Sequence, residues 1–260
     1  MIQRPTITTL DIETSPIEAY VWGLFKQNVG LNQIKQDWSI LSVAWKYLGN
    51  EEVYYQDVSH QADLRDDRDL LVVLWHILDE SDVVIGQNVR RFDAKKINAR
   101  FIEAGLPPPS PYILIDTLEM AKEAAAFTSN KLDWLSQKLS EDKKDHHDEF
   151  PGMALWVECL KGNPRAWAVM REYNLGDIPS CEQVYLALRP YYKQHPNLAI
   201  FIDDEVTRCG RCLSPNLEYV GSTYTRVSEY KRYRCECGGF SRSRYTINSI
   251  GKRKATLSCD

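Results

Sequence analysis

Three groups of carboxylates stand where chemistry is possible. The first is Asp11-Ile12-Glu13, at the end of TITTLDIE (residues 6–13), a run with threonines and β-branched residues at period two. On a strand, residues i and i+2 point to one face and lie about 6–7 Å apart, so both carboxylates could converge on a pair of cations. Unpaired charge near a sheet centre is costly, which separates this pair from an ordinary acidic doublet. The second group is Asn88-Val89-Arg90-Arg91-Phe92-Asp93, directly after the apolar run 82–86. Asp93 thereby falls at the carboxyl end of a strand and opens a helix, where open α/β sheets place their sites. Its structural alternative is a plain N-cap with Phe92 packed beneath. The third is Tyr173-Asn174-Leu175-Gly176-Asp177, in which Tyr173 and Asp177 share one helix face.

A different chemistry sits near the C-terminus. Cys209-Gly210-Arg211-Cys212 is followed, 22 residues on, by Cys235-Glu236-Cys237. Two close cysteine pairs read as a tetrahedral structural zinc site. The second pair is C-x-C rather than C-x2-C, which leaves Cys259 as an alternative fourth ligand. Cys159 and Cys181 read as ordinary buried thiols. Seven cysteines, four of them crowded into 209–237, suit a metal clip in a reducing cytosol better than a secreted disulfide framework. Arg226, Lys231, Arg232, Arg234, Arg242 and Arg244 interleave with Tyr224, Tyr230, Tyr233, Phe240 and Tyr245. Basic groups track phosphates and aromatic faces stack bases, so single-stranded nucleic acid is favoured over a protein partner.

The elements that must position these residues follow from periodicity. Strands are expected at 6–13, 39–48, 52–58, 82–86 and 112–116, with Gly49-Asn50 closing a two-residue hairpin turn. Helices are expected at 67–80, 93–104, 117–126, 131–139, 152–161 and 164–192, the last kinked or restarted at Pro179. Three early strands followed by alternating strands and helices give an α/β domain with a mixed β-sheet flanked by helices. The charged stretch 140–149, with His146 and His147, reads as a surface loop, and Trp22 and Phe25 as core aromatics more readily than base-stacking ones. Short strands at 217–225 and 228–234 make the tail similar to a zinc ribbon. The expected organisation is 1–195, a linker at 196–207, and a basic module at 208–260.

Charge divides along the same line. Residues 208–260 hold eleven Lys/Arg against four Asp/Glu, a net +7, leaving −11 for residues 1–207 out of an overall −4. Residues 1–10 have no long apolar core and no run approaches 18 apolar residues, so neither a secretory leader nor a membrane span is expected. A cytoplasmic setting follows as the expectation.

In order along the chain, D-x-E on a first strand, N-x3-F-D after a later strand and Y-x3-D on a late helix resemble the DEDD exonucleases. This is the DnaQ-like, ribonuclease H-like group that includes polymerase proofreading domains. The tyrosine resembles the DEDDy branch; the DEDDh branch has a histidine where this chain has Glu172. DIETSPIEAYVWGLF, WSILSVAWKYLG, VVIGQNVRRFDAKKINARFIEAGLPPP, IDTLEMAK and SNKLDWLSQKL are similar to predicted exonucleases of the YprB-like family, common in bacteriophages.

The resemblance spans about residues 5–192 and implies a ribonuclease H-like fold. It also implies a 3′→5′ exonuclease acting on single-stranded 3′ ends, DNA before RNA, with replication or recombination proteins as partners. In a phage the setting would be the host cytoplasm. An exoribonuclease, or a non-catalytic nucleic-acid-binding protein on the same fold, are the alternatives. Four carboxylates at one place cannot all ionise unaided, and two Mg2+ or Mn2+ ions would relieve them. By resemblance Asp11 bridges both ions, Glu13 and Asp177 hold the ion carrying the attacking water, and Asp93 acts on the second ion largely through water. Tyr173 orients the attacking water. Asn88 and Phe92 shape the terminal-nucleotide pocket. Beside the site, Thr14 and Ser15 could offer donors to the terminal nucleotide, and Arg90 and Arg91 could contact phosphates. Asp116 is a nearby acid without a required role.

Overall fold

A computed structural model describes residues 4–140 and 149–258. His146, His147 and Cys259 fall outside the described residues. The chain divides into two compact units, one of residues Thr6–Tyr185 and one containing the segment from Leu186 onward.

The first unit begins with β1 (Ile7–Thr14), then a short pair, β2 (Glu18–Ala19) and β3 (Ile34–Gln36), and then β4 (Ile40–Tyr47) and β5 (Tyr54–Asp57). Helix α1 (Arg68–Asp79), strand β6 (Val83–Gly86), helix α2 (Asp93–Glu103) and strand β7 (Ile113–Asp116) follow. Helices α3 (Thr117–Ala124), α4 (Leu132–Leu139), α5 (Ala154–Leu160) and α6 (Pro164–Leu188) complete the order. The main sheet runs β5-β4-β1-β6-β7. Its β5-β4-β1 half is antiparallel, and β1-β6-β7 is parallel. β1 therefore lies at the centre, and β6 is buried throughout, as a parallel strand covered on both faces must be. This is the expected mixed sheet flanked by helices.

Leu10 and Ile12 of β1 enter the core with Leu41 and Val43 of β4, Leu70, Leu71 and Leu74 of α1, and Ile97 and Phe101 of α2. Strand alternation then puts Asp11 and Glu13 on the other face of β1. Two ties bind that face to α6: Ser42 Oγ donates to Asn174 Oδ1 at 2.9 Å, and Lys46 pairs with Glu182 at 2.7 Å.

Three expectations are corrected here. The β4–β5 hairpin forms, but Leu48–Val53 connects it rather than a two-residue turn. Trp45 opposes Tyr54 and stacks on it at 5.3 Å, and this last pair leaves eight residues, 46–53, between its members where a two-residue turn would leave two. Helix α6 continues through Pro179 as one element and stops at Leu188 instead of 192. Pro190, two residues beyond, cannot continue it. Trp22 and Phe25 are not core residues: they stand 99% and 85% exposed in the loop between β2 and β3.

In the second unit β8 (Leu217–Tyr224), β9 (Glu229–Cys235) and β10 (Phe240–Arg242) form an antiparallel sheet in the order β10-β9-β8, and a short α7 (Ile250–Ala255) follows. Among the described residues no helix is long and apolar enough to cross a membrane.

Candidate active site

The carboxylates of Asp11, Glu13 and Asp177 each offer an oxygen, and these oxygens all lie within 4.8 Å of one another. Two come from alternate positions of β1 and one from α6, more than 160 residues later. Asp177 is buried, while Asp11 and Glu13 are half-buried. They line a cleft of about 280 Å³ together with Gln87, Phe92, Asp133 and Tyr173. The cleft is lined by acids and a phenol, so it suits a hard cation.

Each strand carboxylate has a fixed donor. Asn174 Nδ2 donates to Asp11 Oδ2 at 2.7 Å, and Trp156 Nε1 donates to Glu13 Oε2 at 3.0 Å. Asn174 is fully buried, and its amide oxygen is taken by Ser42. Trp156 also meets Tyr173 edge-on, ring centres 6.2 Å apart. These two donors were not singled out from the sequence. Asn174 left a signal, since it stands three residues before Asp177 and so shares its helix face. Trp156 left none, because 143 residues separate it from Glu13.

Asp93 is not in the converging set. It is the first residue of α2 rather than its N-cap, which is Phe92. Its buried carboxylate turns back to accept the Ile12 amide at 3.2 Å, midway between Asp11 and Glu13. Burial pushes its pKa up to about 7, the Ile12 amide opposes that rise, and the nearby Asp116 adds to it. Asp116 has a structural post: it accepts the Asn88 and Arg90 amides at 3.0 and 3.1 Å and caps α3 through Leu118. Asn88, held there, takes a left-handed backbone with φ 60°.

The remaining expected contacts are scattered. Phe92 lines the cleft. Arg90 pairs with Glu119 at 3.1 Å and reaches the Leu114 carbonyl, while Arg91 is exposed. Ser15 is buried, accepting the Ser39 amide at 2.8 Å and an Arg65 guanidinium at 3.0 Å. Thr14 and Ser15 line a separate cavity of about 330 Å³ with Pro16, Met153 and Trp156.

In the second unit Cys209, Cys212, Cys235 and Cys237 bring their sulfurs within 4.8 Å of one another. Cys209 and Cys237 are 3.8 Å apart and Cys212 and Cys235 3.5 Å. A tetrahedral Zn–S bond of about 2.3 Å requires sulfurs about 3.8 Å apart, so four thiolates here fit zinc. The C-x-C departure closes because Cys235 ends β9 and the chain turns back at once through Gly238, at φ +84°.

The family model described as the RNase_H superfamily matches residues 10–189, and the chain belongs to that superfamily. Its mixed sheet and acid-lined cleft are thus those of an RNase H-like fold, which supports nuclease activity in general. Among solved structures the chain is similar to the family B DNA polymerase from the hyperthermophilic archaeon Pyrobaculum calidifontis, at 14% identity and a TM-score of 0.52. The match covers 73% of this chain but 26% of the polymerase, and what it shows is the fold. No curated protein matches.

Proposed function

We propose that the chain is a metal-dependent 3′→5′ exonuclease of the DEDDy kind, acting on single-stranded 3′ ends, DNA in preference to RNA. The observation that carries this reading is the meeting of Asp11, Glu13 and Asp177 at one cleft with Tyr173. These carboxylates would hold two Mg2+ or Mn2+ ions, which when bound supply Lewis-acid stabilisation of an in-line phosphoryl displacement. The chain's own residues then divide the work. Asn174 and Trp156 each occupy one carboxylate oxygen, which fixes the rotamers of Asp11 and Glu13. Asp93 fixes the Ile12 amide between them. Tyr173 lines the cleft beside these carboxylates, and its hydroxyl, which can donate one hydrogen bond and accept another, would orient the attacking water.

Within this reading, residues 208–260 form a zinc-bearing module that helps capture nucleic acid. Replication or recombination proteins are the partners, and the setting is cytoplasmic. Support comes from the four-sulfur cluster and from the +7 balance of that segment.

End-labelled single-stranded and duplex DNA and RNA, incubated with Mg2+ or Mn2+, test the proposal. A 5′-labelled single-stranded DNA should give a ladder that shortens from the 3′ end. Asp11→Ala and Asp177→Ala should each abolish it with the fold intact. Full activity in both variants would overturn the mechanism, and cleavage of RNA alone would overturn the substrate.

A further inference from the structure

The pairing of the C-terminal strands sorts their side chains into two faces. Along β9, Tyr230, Arg232 and Arg234 alternate with Lys231, Tyr233 and Cys235 and so point the opposite way. Directly opposed residues of antiparallel strands share a face. Phe240 opposes Arg234 and Arg242 opposes Arg232. On the other side Glu218 opposes Arg234. One face thus gathers Arg232, Arg234, Arg242, Tyr230 and Phe240, with Glu218 at its margin.

The side chains behave accordingly. The guanidiniums of Arg232 and Arg234 lie 5.7 Å from the ring centre of Phe240, and that of Arg242 lies 4.0 Å from the ring centre of Tyr230. Arg232, Arg234, Arg242 and Phe240 are all exposed. Cys235, on the opposite face, is buried in the four-sulfur cluster. One strand therefore presents its cysteine to the metal clip and its arginines to solvent.

We propose that this arginine–aromatic face is a docking site for single-stranded nucleic acid. Three guanidiniums, against Glu218 at the margin and Glu236 beside Arg234 at the end of the face, leave an excess of positive charge that complements a phosphate backbone. Phe240, exposed between Arg232 and Arg234, offers a face on which an unpaired base stacks, and such stacking is indifferent to sequence. A duplex keeps its base faces inside the helix, so the aromatic half of this surface recognises the single strand. The inference rests on the nucleic-acid substrate proposed above and extends it to a second surface, where the strand is held but not cut.

The test separates holding from cutting. The full-length chain carrying Asp11→Ala is titrated, without added divalent cation, against a fluorescein-labelled oligothymidine, and anisotropy is read across a salt series. Replacing Arg232, Arg234 and Arg242 together with Gln should weaken binding at least about tenfold and lower the log–log salt slope by about 2, the share of three phosphate contacts on a single strand. Phe240→Ala should weaken binding about tenfold with the slope unchanged, and Phe240→Tyr should restore it. Lys231→Gln, on the opposite face, should leave affinity within about twofold.

Zinc content and circular dichroism check that each variant is folded. If the triple variant loses its zinc, the Phe240→Ala and Phe240→Tyr pair decides. Unchanged binding in folded triple and Phe240→Ala variants overturns the inference, as does equally tight binding of a duplex of the same length. A wild-type chain that binds in this way yet never cleaves overturns the nuclease reading alone. One that cleaves while this face proves neutral overturns this inference alone.

Discussion

The carboxylates of the cleft are held from behind. Asp11 and Glu13 stand on one face of β1, but the donors that fix them come from α6 and α5. Outer partners of this sort usually alter metal affinity or activity by about 10–100-fold when removed. Asn174→Ala should therefore lower the cleavage rate into that range and raise the Mg2+ concentration needed for half-maximal rate. A change confined to stability, with the Mg2+ dependence unmoved, would show that Asn174 only packs. Thiol chemistry gives a second check at this scale. Burial pushes Cys159 up to about 12, and burial likewise raises Cys181. Neither should react with iodoacetamide at neutral pH in the native chain, whereas both should once it is denatured.

Among the elements, the fastening of α1 and α2 to β4 depends on one buried acid. Asp67, fully buried just before α1, accepts the Ile40 amide at 2.9 Å and two bonds from Arg100 of α2 at 2.9 and 2.7 Å. Asp67→Ala leaves the buried Ile40 amide without its acceptor and removes two bonds from Arg100, which keeps its pair with Glu103, and should cost about 1–3 kcal/mol in urea unfolding. The neighbouring Arg68–Asp66 pair is solvent-screened, with Arg68 79% exposed, so Arg68→Ala should leave the urea midpoint essentially unmoved. Gly86 closes β6 against β1: an added Cβ would stand 2.8 Å from Val89 Cβ and 2.9 Å from the Leu10 carbonyl. Gly86→Ala should thus destabilise by about 1–3 kcal/mol, and the strain would fall next to Asp11.

For the whole molecule, the partition of charge coincides with a partition of proposed metal chemistry. Hard carboxylate oxygens belong to Thr6–Tyr185, and soft thiolates to the segment after Leu186. Proposed binding of zinc by four thiolates makes metal retention part of the folding free energy of the second unit. Elemental analysis should find about one zinc per chain. A strong chelator should melt the β8–β10 sheet while leaving the unfolding transition of the first unit in place. A single unchanged transition after chelation would remove zinc from the account.

Much of this was legible in local pattern. Hydrophobic periodicity marks the elements of the first unit that bury one face, because period 2 or 3.6 survives in the chain itself, while β6, covered on both faces, shows as a short apolar run. The D-x-E spacing put two acids on one side of β1, and the cysteine pairs marked out the four-sulfur cluster. Other features required the folded chain. Asp93 reads from sequence as a fourth member of a convergent set or as a cap, yet helix α2 starts one residue too early for a cap and aims its carboxylate at the Ile12 amide. Trp22 and Phe25 read as core by hydrophobicity, but among the described residues no element covers the loop in which they lie. The donors Asn174 and Trp156, and the sorting of arginines onto one face of β9, depend on distant segments and on strand register. Local sequence determines which way each side chain can point along its own element. Only the tertiary structure decides what stands opposite it, because that choice is made by packing between segments far apart in the chain.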